Sequence, residues 1–136
     1  MSLKDQLIRH EGLELTPYTD TVGVLTVGVG RNLERPISYE LAMFMLDEDI
    51  ATIKNDVKQF DWFEGLNEAR QSVILNMIFN LGITRFKKFK NTINAIKAKD
   101  YLTASQEMLN SKWSEQVGHR AIELAMTMES GEYQNV

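Results

Sequence analysis

The sequence predicts an α+β chain, mainly α, with one small antiparallel sheet near its N-terminus and helices after it. Three observations carry this. Residues 16–30 are crowded with Thr and Val and punctuated by Gly23, Gly28 and Gly30, which is strand-and-turn composition. Apolar residues recur at helical spacing in residues 2–11 and again from residue 39 onward. The chain has 136 residues, 43% of them hydrophobic and 25% charged, which suits one ordinary globular domain with room for two lobes.

Residues 2–11 read as a helix. Ser2 is a natural N-cap, Asp5 three positions on completes a weak capping box, and Leu3, Leu7 and Ile8 form the stripe. Gly12 stops it and leaves Glu11 at the helix end, where a carboxylate meets the negative pole of the dipole and needs a compensating partner. Residues 16–30 follow as the sheet, entered through a turn at Thr16-Pro17. A phosphate-cradling loop is a poor reading of T-V-G-V-G, because no helix opens directly after it: residues 31–36 intervene. The glycines instead turn a hairpin or let backbone approach a sugar closely.

Ser38 caps a helix over residues 39–59 with Ala42, Leu46, Ile50, Ile53 and Val57 in its stripe, roughly 30 Å long at 1.5 Å per residue. Asp47, Glu48 and Asp49 fan apart on it as solvated surface. Phe60, Trp62 and Phe63 pack at its far junction. Asn67 caps a helix over 68–80 that is apolar on most sides and ends at Gly82. Residues 83–90, I-T-R-F-K-K-F-K, read as a basic surface segment anchored by its aromatics, with Arg85, Lys87, Lys88 and Lys90 as a cationic patch. Helices at about 90–99, 100–110 and 118–129 complete the chain, the last carrying Ile122, Ala125 and Met126.

Composition excludes several functions. There are no cysteines and only two histidines, His10 and His119, so neither a disulfide framework nor a zinc site is expected, and no metal or other cofactor is called for. A net charge of −4 argues against nucleic acid as a partner. No apolar run approaches the ~20 residues of a membrane span, and the charged N-terminus is not a secretory signal.

The chemistry concentrates in residues 11–30. Eight residues separate Glu11 from Asp20, and five separate Asp20 from Thr26. One carboxyl on a helix end and a second on a hairpin that folds back are what glycoside hydrolysis needs: one group protonates the leaving oxygen, the other activates water or stabilises the oxocarbenium-like charge.

The whole block, E-G-x-x-x-x-x-Y-x-D-x-x-G-x-x-T-x-G-x-G, present as Glu11, Gly12, Tyr18, Asp20, Gly23, Thr26, Gly28 and Gly30, resembles the phage-type (T4-like) lysozymes, glycoside hydrolase family 24. A second block, S-x-W-x-x-Q-x-x-x-R-A from Ser111 to Ala121, and N-M-I-F-N-L-G over 76–82 continue the resemblance. It implies a lysozyme-like two-lobe fold: an N-lobe of about 12–37 packed with helix 2–11, a connecting helix at about 38–59 and a helical C-lobe at about 60–136. It implies a monomeric N-acetylmuramidase that opens the β-1,4 bond between N-acetylmuramic acid and N-acetylglucosamine in bacterial peptidoglycan, with inversion. The roles it gives are general acid for Glu11, water orientation or charge stabilisation for Asp20, and water positioning for Thr26. Gly30, Phe79, Asn80 and Gln116 become substrate contacts, although Phe79 read alone is a core residue. Trp113 is core, and Arg120 is the cation that serves Glu11. Arg31 departs from the family's His and is expected to pair with Glu48 or Asp49. The absence of a leader predicts synthesis in a host cytoplasm and action on the wall after release, with a holin. Two other readings stay open: a non-catalytic glycan-binding module on the same scaffold, and a lytic transglycosylase.

Overall fold

A computed structural model describes residues 2–135. The chain divides into two compact units, with the boundary after Met43. In the first, α1 (Leu3–Glu11) starts as its sequence predicts. The Ser2 hydroxyl accepts from Asp5 N–H at 3.1 Å, and the Asp5 carboxylate accepts from Ser2 N–H in return. Leu3 and Leu7 lie exposed at 69% and 45%, so the expected stripe is not a buried face. Three strands follow, β1 (Glu14–Thr19), β2 (Leu25–Gly28) and β3 (Arg31–Asn32), antiparallel in the order β1-β2-β3. The sheet therefore begins before Thr16 and continues past Gly30. Tyr18 pairs with Thr26 and Thr26 with Asn32, so Thr26 sits in the central strand. The β1–β2 register slips between Glu14 and Tyr18. Pro17 lies in that interval; it has no N–H to give a ladder, and β1 is an edge strand where such a loss is tolerated.

The long helix α2 (Tyr39–Asp56) carries the unit boundary, and a 3₁₀ turn, Val57–Gln59, extends it. Leu41 N–H donates to the Ser38 hydroxyl at 3.1 Å, as the cap requires. No residue of α2 is buried, and Leu46 is 36% exposed; burial begins at Val57.

The second unit holds the core. The helix α3 (Glu68–Leu81), capped by Asn67, buries Val73, Ile74, Met77 and Ile78. Residues 83–90 are basic surface anchored by an aromatic, as expected, and in addition α4 (Ile83–Phe86) forms one turn that sends Phe86 wholly out of solvent. Phe60 stacks on Trp62 at 5.0 Å and meets Phe86 at 5.8 Å, and Phe89 meets Trp113 edge-on at 6.1 Å. Then come α5 (Lys90–Lys97), α6 (Tyr101–Leu109), α7 (Lys112–Val117) and α8 (His119–Ser130). The helix α7 has no counterpart in the sequence reading. Helices α6 and α8 pack together, and Ala104 on the one and Ala121 and Ala125 on the other are nearly or wholly buried. The inward face of α8 runs through Ala121, Leu124, Ala125 and Met128, while Ile122 and Met126 are about half exposed. Arg70 ties α3 to the end of α8: its Nε and Nη2 donate to the carbonyls of Met128 and Glu129 at 2.7 and 2.9 Å, and its guanidinium lies 3.7 Å over the Tyr101 ring.

Candidate active site

In the first unit, Glu11 is the last residue of α1 and is exposed. The helix ends there because Gly12 N–H donates to the Ile8 carbonyl at 2.8 Å and the chain then leaves helical geometry. Arg9 and His10 share the last turn, so part of the compensation that Glu11 needs is local. Gly30 closes the β2–β3 hairpin at φ +63°, directly against the Glu11 carboxylate. A Cβ at Gly30 would stand 2.7 Å from Glu11 Oε2 and 2.9 Å from its Cδ. Gly30 is thus required by the acid residue itself, whatever it does toward a sugar.

Asp20 follows β1 and is fixed by backbone. Its Oδ1 accepts from the N–H groups of Val22 and Val24 at 3.0 and 2.8 Å, while Asp20 N–H donates to the Val24 carbonyl at 2.9 Å. The amides occupy one carboxylate oxygen, and Oδ2 is the one left to act on something else. Thr26 is 4% exposed, and its hydroxyl also donates to the Val24 carbonyl, at 2.9 Å. With that proton committed, Thr26 can only accept from a further partner such as water. Val24 therefore holds both residues, orienting Asp20 through its N–H and Thr26 through its C=O. Sequence reasoning missed it because the work is done by the peptide backbone and any side chain would serve. Arg31, in β3, donates from Nη2 to the Pro36 carbonyl at 3.2 Å, and its Nε is buried without an acceptor among the described residues.

In the second unit, Phe79 is 46% exposed, so it is not the core residue its apolar neighbours suggested. It lines a cavity of about 460 Å³ with Asn76, Leu75, Ile50, Ile53 and Arg120. Arg120 Nε donates to Asn76 Oδ1 at 2.9 Å. Asn80 Oδ1 accepts from the indole of Trp113, a core residue 3% exposed, at 2.9 Å; its amide nitrogen keeps the remaining donors. Asn76 was missed, although two Asn four apart on an otherwise apolar helix face are a visible signal. Gln116 is exposed on α7 and lines a second cavity, of about 540 Å³. Among the described residues, no group of three or more His, Cys, Asp or Glu side chains gathers where it could hold a metal ion.

A Glu at the end of a helix, an Asp on the turn between the first two strands and a Thr in the central strand of a short three-stranded sheet, followed in the chain by a helical second unit, define a lysozyme-like α+β protein. The chain belongs to the phage lysozyme family, whose model matches residues 8–126, a span that contains every candidate site residue. It is 27% identical to "Probable T4-type lysozyme 1" of Dictyostelium discoideum over 96% of this chain and 95% of that protein. It is 26% identical to the pre-baseplate central spike protein Gp5 of Enterobacteria phage T4, again over 96% of this chain but only 28% of that larger protein. A SAR-endolysin of Escherichia phage Mu is 29% identical over 90% of this chain and 77% of that protein. Family membership makes the chain a glycoside hydrolase of the lysozyme and endolysin class. No helix among the described residues is long and apolar enough to cross a membrane.

Proposed function

We propose that this chain is an N-acetylmuramidase, cleaving the β-1,4 bond between N-acetylmuramic acid and N-acetylglucosamine in peptidoglycan with inversion. Glu11 gives its proton to the glycosidic oxygen as the bond to C1 breaks. A water that donates to Asp20 Oδ2 and to the Thr26 hydroxyl oxygen attacks C1 from the opposite face and gives up a proton to Asp20 Oδ2, which then passes it to solvent, and the Asp20 carboxylate offsets the positive charge that develops on the ring. The Glu11 carboxylate is then reprotonated from solvent. The chain needs no metal or organic cofactor for this, since two carboxyls and water suffice. Phe79, Asn80 and Gln116 meet the glycan or its substituents, and Arg120, held on Asn76, keeps its supporting role. Action follows release from the cytoplasm to the wall, and the working form is a monomer.

The observation that carries this reading is the Val24 bridge. It presents one free oxygen of Asp20 and one hydroxyl acceptor of Thr26 from a single turn, in the same unit as Glu11. The test is digestion of purified peptidoglycan by wild type and Glu11→Gln, with mass spectrometry of the soluble products and proton NMR of the fresh anomer. Reducing muramic ends, α-configured at first and absent with Glu11→Gln, are expected. Anhydro-muramic ends would instead indicate a transglycosylase. A folded wild type that binds wall but releases nothing would leave only a glycan-binding module.

A further inference from the structure

In the second unit, α3 holds the segment that follows α8. Asn67 Nδ2 donates to the Gly131 carbonyl at 2.9 Å, where that segment leaves α8. Gly131 is packed there so closely that a Cβ on it would stand 2.9 Å from Arg70 Nη1. Further along α3, Ser72 Oγ and the Tyr133 hydroxyl share a hydrogen bond of 2.6 Å. Tyr133 is 60% exposed, so burial of its ring does little to fasten the segment, and the hydroxyl bond does the tying. The segment also braces itself: Glu132 N–H donates to Ser130 Oγ at 3.1 Å, and Gln134 Nε2 donates to the Glu132 carbonyl at 3.1 Å. Gln134 and Asn135 then line a cavity of about 500 Å³ together with Arg120. Arg120 is itself fastened to α3, where its Nε donates to Asn76 Oδ1 at 2.9 Å and its Nη2 to the Asn76 carbonyl at 3.4 Å. Ser72 and Asn76, four apart, share a helix face and line the cavity of Phe79 with Arg120. Arg120 thus borders two cavities, one walled by the segment and the other by α3.

We infer that Tyr133 is a positioning residue: by tying residues 131–135 to Ser72, it keeps a wall beside Arg120 and restricts that side chain to the pose it takes on Asn76. The inference rests on the supporting role of Arg120 in the reaction. An Arg side chain has many rotamers, and an anchor on one helix leaves it several ways to turn off that anchor. A wall on a second cavity removes poses that the anchor alone allows. Without the hydroxyl bond, the middle of the segment comes free while its root stays on Asn67. Arg120 then spends part of its time off Asn76. The reaction loses rate through orientation rather than through affinity for the glycan.

The test reads Arg120 directly, through the rate at which its Nε–H exchanges with water, measured by NMR on isotope-labelled protein. Tyr133→Phe and Ser72→Ala should each speed that exchange by about threefold, the worth of one hydrogen bond. The double variant should do no more than either alone, since both remove the same bond. Ser72→Thr, which keeps a hydroxyl, should exchange as the wild type does. The Arg70 Nε–H, held on the Met128 carbonyl at 2.7 Å, is the internal control and should not change. In muropeptide release, Tyr133→Phe and Ser72→Ala should lower kcat by about threefold at unchanged KM, while Ser72→Thr keeps the wild-type kcat. Unchanged exchange at Arg120 would overturn the proposal. Equal acceleration at Arg70 would overturn it too, because the end of α8 would then have loosened as a whole. Arg120→Gln separates the proposal from the role it rests on. If Arg120→Gln digests at the wild-type rate, that supporting role falls and the proposal with it. If Arg120→Gln loses rate while Tyr133→Phe and Ser72→Ala keep theirs, the role stands and Tyr133 does not position Arg120.

Discussion

Replacing Gly30 by alanine separates the two jobs this glycine does. At φ +63° an L-residue pays about 1–2 kcal/mol in backbone strain. The new methyl would also stand 2.7 Å from Glu11 Oε2. With comfortable contact starting near 3.5 Å, the carboxylate must retreat by about 0.8 Å. Glu11 is the far end of an exposed side chain, so the retreat itself costs little stability. Its cost falls on the reaction, where misplacing a reacting group by about 1 Å reduces rate roughly 100-fold. Gly28→Ala is the matched control: its φ is +69°, and nothing lies within 4 Å of the Cβ position. Both variants should lose roughly 3–10 °C in Tm for a chain of this size. Only Gly30→Ala should also lose muropeptide release by about two orders of magnitude. Thermal unfolding by circular dichroism and a muropeptide-release assay measure the two effects side by side. If Gly30→Ala digests peptidoglycan at the wild-type rate, or if Gly28→Ala is equally inactive, the packing of Gly30 on Glu11 is not what positions the acid.

Two further outcomes follow from bonds in the second unit. Asn80→Leu should orphan the buried indole N–H of Trp113 and lower stability by about 1–3 kcal/mol in denaturant titration; unchanged stability would mean that this bond does not hold the Trp. The Thr103 hydroxyl, at 2.7 Å, and then its backbone N–H, at 3.1 Å, hold the Asp100 carboxyl below its ordinary value. A depressed folded-state value means that the cap stabilises above the ordinary carboxylate range and that this contribution is lost as pH falls through the folded value. Carbon NMR should therefore find Asp100 titrating lower than a free Asp, with Thr103→Ala moving it upward; a value at or above the free one would refute the cap's charge preference.

Much of the fold was legible because it is specified over a few residues. Ser2, Ser38 and Asn67 cap the helices they precede in the chain, and Gly12 and Gly82 follow the last residues of theirs. The strands were less legible at their ends. Glu14 belongs to β1 because Gly28 lies opposite it, and no property of Glu14 itself announces a strand. Phe79 misled for a related reason: an aromatic in an apolar run is buried only if another element covers its face, and none does so fully.

The candidate site divides along the same line. Residue type and spacing singled out Glu11, Asp20 and Thr26, since acid–base work admits few side chains and the block that carries them is dense. They did not show the Val24 peptide linking Asp20 to Thr26, the Asn76 that anchors Arg120, or the Ser72 that ties Tyr133. By itself, then, the sequence determined the order of the longer elements, several of their caps and the candidate reactive groups, because each depends on neighbours a few positions away. Only the tertiary structure decided which polar atom meets which, because those pairings join residues far apart in the chain and depend on how helices and strands come to rest against one another.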